Sequence, residues 1–121
     1  MTWKFELVAG PFKGRTGGLA WDGKGMLCSA VQEERVVRYD PATSKTDNFR
    51  RWTGRVNGLA IAKDGVFGAQ EGGRRVIQFM NDGSARPITE FLEGERHNQP
   101  CDVAVDSKGR VWIADAYNAD R

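Results

Sequence analysis

The sequence predicts an all-β fold made of repeated four-stranded sheets, and three observations support this prediction. Glycine accounts for 15 of the 121 residues, and aromatic and β-branched residues occur in short runs between Asp-Gly and Gly-Gly pairs, as in proteins built of short strands and tight turns. The segment NGLAIAKDGVFGAQEGGRRVIQF at 57–79 reads like GGLAWDGKGMLCSAVQEERVVRY at 17–39, and its matches are shifted by 40 residues. Apolar residues do not follow the spacing of a helix.

One copy of the repeat contains four predicted strands. Residues 57–62 form a short apolar run, and the turn AKDG separates it from the second run, VFGAQ. The turn EGG then leads to RRVIQF, and NDG leads to RPITEF. A third copy begins in CDVAVDSKGRVWIADAYNADR, 44 residues beyond the second. Repeats of about 40 residues with four antiparallel strands are typical of the blades of a β-propeller.

The repeat also predicts how the chain is divided. It indicates a leader strand at 1–14, a first blade at 15–54, a second blade at 55–97 and the first half of a third blade at 98–121. Propellers close into rings of about four to eight blades. We therefore expect about two and a half blades, with the missing blades supplied by the rest of a longer parent chain and the segment WKFELVA at the outer edge of the last blade. Trp21, Trp52 and Trp112 are expected to pack between blades.

Composition excludes several classes of function. The 18 basic and 16 acidic residues are interleaved and leave a formal charge of +2, which predicts no nucleic-acid partner. No apolar run approaches the roughly 20 residues of a membrane span, and the N-terminus lacks the pattern of a signal peptide. We expect a cytoplasmic protein without membrane association, in which Cys28 and Cys101 are free thiols and Cys28 is buried and inert.

Candidate site residues follow from where propellers bind ligands, at one end of the central channel. Gly17, Asn57 and Cys101 each stand just before the innermost strand of a blade and are predicted to face the axis. The loops between second and third strands are predicted to line the same mouth with Gln32, Glu33, Glu34, Gln70, Glu71, Asp115, Tyr117 and Asn118. Such oxygens suit calcium, or magnesium with retained waters, and the alternative is that they face solvent. His97 is interpreted as a loop residue near this mouth and not as a general base.

Four phrases carry a resemblance to a known family. The segments GGLAWD, NGLAIAKDG, QEGGRRV and HNQPCDVAVDSKGRVWIADAYN resemble, in order and spacing, the senescence-marker-protein, regucalcin and gluconolactonase family of six-bladed propellers. This resemblance implies a partial six-bladed propeller whose parent protein is a metal-dependent hydrolase of lactones or related esters. It implies a divalent metal on the axis, calcium in the first place with zinc or magnesium as alternatives, and a small lactone or sugar-acid substrate. Glu71, Asn98, Gln99 and Tyr117 are the candidates for binding that substrate.

The expected metal ligands are only partly present. The family's first glutamate falls on Gly17 and its asparagine falls on Cys101, while the following aspartate is kept as Asp102, which would support the ligands from behind. Three hypotheses remain open. Cys101 could bind a softer metal such as zinc, Asn57 could replace the lost glutamate, or the site could bind no metal. We expect the 121-residue piece alone to be inactive, and the alternative function is a non-catalytic ligand- or protein-binding propeller of the NHL type.

Overall fold

The computed structural model describes residues 1–117 and contains, in this part of the chain, twelve strands and no helix. Consequently no helix within these residues could cross a membrane. The strands form two four-stranded antiparallel sheets, in which neighbours in sequence are neighbours in space, and two shorter two-stranded sheets. This arrangement confirms the prediction of a partial propeller, and each large sheet is one blade.

The strand bounds agree with the repeat. The first blade consists of β1 (Thr16–Trp21), β2 (Met26–Ala30), β3 (Arg35–Asp40) and β4 (Lys45–Arg51). The second consists of β5 (Val56–Ala62), β6 (Gly65–Gln70), β7 (Arg75–Phe79) and β8 (Ala85–Thr89). A small hairpin follows, made of β9 (Phe91–Leu92) and β10 (Glu95–Arg96). The third blade contributes β11 (Gln99–Val105) and β12 (Val111–Ala116).

Aspartates fix the turns that join the two inner strands of the first and third blades. Asp22 accepts hydrogen bonds from the backbone N–H groups of Lys24 and Gly25, at 2.9 and 2.8 Å. Asp106 does the same after β11, accepting from the N–H groups of Lys108 and Arg110, both at 2.9 Å. These side chains satisfy backbone donors that the turn leaves unpaired. The turns after β1 and β11 are therefore tight hairpin turns, each fixed by an aspartate.

A bulge recurs at the start of each inner strand. The pairing register shifts between Thr16 and Leu19 in the first blade, between Val56 and Leu59 in the second, and between Pro100 and Asp102 in the third. A bulge takes a residue out of the ladder and turns its side chain in a new direction. The bulged segments contain the three positions predicted to face the axis, at residues 17, 57 and 101.

The blades pack against each other face to face. Leu27 and Val36 of the first blade form one buried cluster with Leu59, Ile77 and Phe79 of the second. We call the face of a blade that points toward the preceding blade its front face and the opposite face its back face. The first cluster therefore joins the back face of the first blade to the front face of the second.

The second and third blades repeat this contact one blade further along. Phe67 and Val76 on the back face of the second blade form a second buried cluster with Val103 on the front face of the third. Both faces of the second blade are thus covered, and all six residues of β6 are buried. Burial of apolar area on both sides makes this blade the centre of the described core.

The leader strand predicted at 1–14 stays a prediction, because the last blade, which it was expected to join, is not among the described residues. No strand occurs among residues 1–15, and the first strand begins at Thr16. An extended segment becomes a strand only when a sheet edge pairs with it, and no such edge pairs with this segment in the part of the chain that the structure describes. Residues 6–9 and Phe12 instead line a crevice with the front face of the first blade, including Leu19 and Trp21.

The prediction that Trp21, Trp52 and Trp112 pack between blades is wrong, because each is more than half exposed. Trp21 lies on the front face of the first blade and Trp112 on the back face of the third. No further blade covers either face within residues 1–117. Trp52 follows β4 and lies outside the strands. A large aromatic residue is buried only where a neighbouring element covers it, which the local sequence does not specify.

Candidate functional site

A polar cleft of ≈820 Å³ lies where the bulged segments of the blades meet. It is lined by Arg15, Arg55, Asn57, Glu71, Gly72, Arg74, Gln99, Cys101, Ala116 and Tyr117. Five of the predicted site residues are therefore brought together, namely Asn57, Glu71, Gln99, Cys101 and Tyr117. The cleft also contains three arginines that the sequence analysis did not single out.

The glycine at position 17 makes room for Asn57. A Cβ atom added to Gly17 would collide with Oδ1 of Asn57 and would lie 3.3 Å from Cγ2 of Val31. The backbone is equally close at the next residue, since a Cβ on Gly18 would lie 2.6 Å from the carbonyl oxygen of Asn57. A side chain at position 17 and the observed position of Asn57 therefore exclude each other. The Asn57 amide occupies the space that a glutamate at position 17 would need.

Glu71 is the centre of a hydrogen-bond network between two blades. Its Oε1 accepts from Nη1 of Arg15 at 3.0 Å and from Nδ2 of Asn57 at 2.9 Å, and its Oε2 accepts from Nη2 of Arg15 at 2.8 Å. The Glu71 side chain is only 10% exposed. A bidentate contact of this kind fixes both the distance and the orientation of the guanidinium group.

The network keeps Glu71 ionised. Burial alone would raise the pKa of this carboxyl group, but the hydrogen bonds from Arg15 and Asn57 and the nearby charges of Arg15 and Arg55 outweigh it. The pKa of Glu71 therefore lies below its usual value. The same hydrogen bond raises the pKa of Arg15. A carboxylate with a lowered pKa is a weak base, so Glu71 is better suited to holding Arg15 than to taking a proton.

Other predicted residues lie at the edge of the cleft or outside it. Asn98 lines an adjoining crevice with His97 and Asp115, and its N–H donates to Oδ2 of Asp115 at 3.0 Å. Asp102 lies against the backbone of the second blade, because a Cβ on Gly58 would be 2.6 Å from its Oδ1. Asn118 lies outside the described residues.

Two loop acids of the first blade face away from the cleft. Glu33 and Glu34 line a separate crevice beside Trp52. Glu33 accepts hydrogen bonds from the N–H of Lys13 and from Nη2 of Arg35, at 2.9 and 3.0 Å. The loop between β2 and β3 therefore stabilises its own blade, whereas the corresponding loop of the second blade supplies Glu71 to the cleft.

His97 is buried beside a hydroxyl and a carboxylate. Its Nε2 lies 2.9 Å from Oγ1 of Thr89, and its Nδ1 lies 3.6 Å from Oδ2 of Asp115. The backbone N–H of His97 donates to the carbonyl oxygen of Glu90 at 3.0 Å. These contacts join the small hairpin to β8 and β12. They give His97 a role in connecting the second and third blades beside the cleft.

The described residues contain no cluster of ionisable metal ligands. Within residues 1–117 no group of three or more His, Cys, Asp or Glu side chains is placed to hold a metal ion. Glu71 is already paired with Arg15, and Sγ of Cys101 donates to the carbonyl oxygen of Ala114 at 3.6 Å. A divalent cation needs several donors directed at one point, and the His, Cys, Asp and Glu side chains of residues 1–117 do not provide them. The metal roles predicted for Asn57, Cys101 and Asp102 stay predictions.

The fold and the axial cleft define a portion of a β-propeller, and comparison with known proteins gives its family. The family described as SMP-30/Gluconolactonase/LRE-like region matches residues 15–121. Because this match covers most of the chain, the chain belongs to that family. No curated protein sequence matches it significantly.

Solved structures give the same result. The chain is similar to a gluconolactonase from Xanthomonas campestris, with a TM-score of 0.76 and 25% identity over 83% of this chain and 34% of the other. It is similar to a protein named as a candidate gluconolactonase, with a TM-score of 0.80 and 21% identity over 89% of this chain and 38% of the other. The chain is also similar to a streptogramin B lyase, with a TM-score of 0.55 and 10% identity over 83% of this chain and 48% of the other. The last two likenesses show the fold alone, and the chain spans about a third of the first two structures.

Two of the three arginines of the cleft could have been found from the repeat. Arg15 and Arg55 are 40 residues apart, as are Gly17 and Asn57. Both arginines stand two residues before a position predicted to face the axis. Arginine at equivalent places in two copies was therefore visible as a signal. The pairing of Arg15 with Glu71, 56 residues away, was not visible, because it depends on how two blades pack.

Proposed function

We propose that the natural protein containing this chain opens lactones or related esters with water. Membership of the SMP-30/gluconolactonase/LRE-like family supports this proposal, and so does the likeness to the gluconolactonase from Xanthomonas campestris. The observation that carries it is the network of Arg15, Glu71 and Asn57 in the axial cleft. This network presents a fixed cation and an amide to any small molecule bound there.

The chemistry of lactone opening fits a fixed cation. Water adds to the carbonyl carbon and gives up a proton, and negative charge develops on the carbonyl oxygen. The bond from that carbon to the ring oxygen then breaks as the ring oxygen takes up a proton. A guanidinium group that is held in place before the reaction stabilises the developing charge without reorganisation. Glu71 positions Arg15 for this role, while Asn57 and Gln99 carry amides that suit the hydroxyl groups of a sugar lactone.

The first experiment measures proton release from glucono-δ-lactone at pH 7 by the natural protein that contains this chain, with the spontaneous rate subtracted. We expect enzymatic turnover, and we expect Arg15→Gln to lower kcat/KM by about 100-fold, the usual cost of removing one stabilising donor. Arg51→Gln is the matched control, because Arg51 is exposed in β4 and does not line the cleft. Turnover that Arg15→Gln leaves unchanged would contradict the role given to Arg15.

The metal implied by the family resemblance is tested in the same assay. The protein is treated with EDTA, and calcium, magnesium, manganese and zinc are then added singly. Turnover restored by one of them would show that the reaction depends on that metal. Activity at the spontaneous rate under every condition would overturn the proposal.

A non-catalytic binding propeller is the second candidate function. It is favoured by one observation, namely that Glu71, the buried carboxylate of the cleft, is held by Arg15 and Asn57 with a lowered pKa and is poorly suited to act as a base. Saturable binding of gluconate without turnover of any lactone would support this candidate. Turnover of a lactone above the spontaneous rate would reject it.

A further inference from the structure

Arg15 and Arg55 occupy equivalent places in consecutive blades. The carbonyl oxygen of Arg15 accepts a hydrogen bond from the N–H of Val31 at 3.0 Å, and the carbonyl oxygen of Arg55 accepts one from the N–H of Glu71 at 3.1 Å. Val31 and Glu71 each follow the second strand of their blade. The backbone of both arginines is thus fixed in the same way beside the axis.

The carboxylate that Arg15 binds belongs to the next blade. Glu71 directly follows Gln70, which pairs with Val56. In the third blade Pro100 is the counterpart of Val56 and pairs with Asp115, so Ala116 takes the place of Glu71. Glu71 and Ala116 both line the cleft. The third blade therefore offers a methyl group where the second offers a carboxylate.

Arg55 is left without a bidentate partner by this difference. Within residues 1–117 its guanidinium group makes no hydrogen bond, although Glu71 lies near enough for the charge of Arg55 to act on it. Arg74 is the third arginine of the cleft, and its Nε donates to the carbonyl oxygens of His97 and Asn98 at 2.8 and 3.2 Å. Its two terminal nitrogens make no hydrogen bond to the described residues. Three arginines and one glutamate leave the lining with a net positive charge.

We propose that the cleft binds a small anion whose carboxylate or phosphate oxygens accept hydrogen bonds from Arg55 and Arg74, as Glu71 accepts them from Arg15. Guanidinium groups recognise both kinds of anion through paired hydrogen bonds. This inference rests on the proposed function in one respect, since it names the substrate class as a lactone that carries an additional carboxylate or phosphate. The binding itself is measured without turnover.

The test measures ligand binding by calorimetry at low salt with EDTA present. The probes are glucarate and 6-phosphogluconate as anionic sugars, glucose as a neutral sugar, and acetate and inorganic phosphate as minimal anions. We expect the anionic sugars to bind at least about tenfold more tightly than glucose, in line with the strength of charge-assisted hydrogen bonds. A preference for glucarate and acetate would assign the ligand as a carboxylate, and a preference for 6-phosphogluconate and phosphate would assign it as a phosphate.

Two pairs of variants test the named residues. Arg55→Gln is expected to lower the affinity for the preferred anion by about tenfold or more, whereas the exposed Arg51→Gln should leave it unchanged. Ala116→Glu would give Arg55 an internal partner, as Glu71 is for Arg15. It is expected to reduce anion binding as strongly as Arg55→Gln does. Ala116→Gln is the control of similar size without the charge, and it should keep the preference. Circular dichroism confirms that each variant is folded.

The outcomes separate this inference from the proposed function. Equal affinity for glucose and the anionic sugars, or an Ala116→Glu variant that binds anions like the unmodified protein, would overturn the inference. Anion binding that depends on Arg55, without hydrolysis of any lactone, would uphold the inference and reject the proposed function. Hydrolysis of neutral lactones without preferential binding of anions would uphold the proposed function and reject the inference.

Discussion

Leu19 and Leu59 are the same residue at the same place in two consecutive blades, yet their surroundings differ. Leu19 pairs with Cys28 and Leu59 pairs with Gly68, each near the start of an inner strand. Leu19 is 63% exposed, whereas Leu59 is 6% exposed. The repeat therefore determines the strand and its register, but it does not determine which residues form the core.

The difference arises from the neighbouring blade. Leu59 lies on the front face of the second blade and contacts a cluster that contains Leu27 and Val36 from the first. Leu19 lies on the front face of the first blade, where residues 6–9 and Phe12 line an open crevice beside it. Equivalent leucines thus contribute unequally to stability, because the hydrophobic contribution scales with the apolar area removed from water.

The largest expected effect is the loss of the buried leucine. Leu59→Ala should lower the free energy of unfolding by about 3 kcal/mol, since it removes apolar contacts and leaves a cavity in the cluster between two blades. Leu19→Ala should lower it by about 0.5 kcal/mol or less, as is usual for exposed positions. Urea unfolding followed by tryptophan fluorescence measures both, and the m-value shows whether the unfolded state has changed.

The two leucines serve as controls for each other, because the chemical change is identical. Equal losses at both positions would contradict the packing described for the first blade. A large loss at Leu19 alone would show that its front face is covered in solution. Either result would contradict the conclusion that the two leucines contribute unequally to stability.

The contrast also explains how much of the fold could be predicted from the sequence. The strands of the second blade were predictable because alternating side chains and the residues of tight turns are local properties. The pairing of the leader segment at 1–14 could not be tested within the described residues, since its alternation is local but its predicted partner is the last blade of a closed ring. Burial of Trp21 and Trp112 could not be predicted from the sequence either, because both lie on faces that are covered only where a neighbouring blade packs against them.

The candidate site was predictable to a similar degree. The repeat placed Asn57 and Cys101 at equivalent positions, and the structure brings both into one cleft. The contact between Arg15 and Glu71 joins residues 56 apart in sequence. No local pattern indicates which acid a given arginine will meet after two blades pack. Which arginine of the cleft is paired with an acid therefore became visible only in the structure.

Val31 and Glu71 offer a second comparison, between an apolar and a charged residue at equivalent places. Both are buried, but only Glu71 has hydrogen-bond partners that compensate for the loss of water. Glu71→Gln should lower the free energy of unfolding at pH 7 by about 2 kcal/mol, because it breaks charge-assisted hydrogen bonds to Arg15. Chemical unfolding at several pH values measures this loss.

The pH dependence of that loss has a definite sign. The pKa of Glu71 is lowered in the folded protein, so its contribution is fully present above the unfolded pKa of about 4.3. The contribution is lost as the pH falls through the folded value. The difference between the unmodified protein and Glu71→Gln should therefore narrow below about pH 4. Glu34→Gln is the control, because Glu34 is exposed in the loop of the first blade; it should neither lower the free energy of unfolding nor change its pH dependence. A stability difference between the unmodified protein and Glu71→Gln that stays constant with pH would contradict the role of the Glu71 charge.

The smallest effect is expected at the turn between β1 and β2 of the first blade, where an ion pair takes the place of hydrogen bonds from an arginine to an amide in the second blade. Oδ2 of Asp22 accepts from Nε of Arg38 at 2.6 Å, whereas Gln78, the counterpart of Arg38, is buried and accepts from Arg86 at 2.9 and 3.1 Å. Hydrogen bonds from Arg38, Lys24 and Gly25 hold the pKa of Asp22 well below its usual range. Asp22→Asn should cost about 1 kcal/mol at pH 7, the upper end for a pair that remains partly exposed.

This cost should disappear under acid conditions. Because the pKa of Asp22 is lowered in the folded state, its contribution is fully present above the unfolded pKa of about 3.9, declines below that value and is lost as the pH falls through the folded pKa. Salt should also reduce the cost, since exposed charges are screened within about 10 Å at 0.1 M ionic strength. Asp47→Asn is the control, because Asp47 is an exposed residue of β4. If the loss of stability in Asp22→Asn responds to neither acid nor salt, it comes from the geometry of the turn. The ion pair would then contribute nothing to the stability of the first blade.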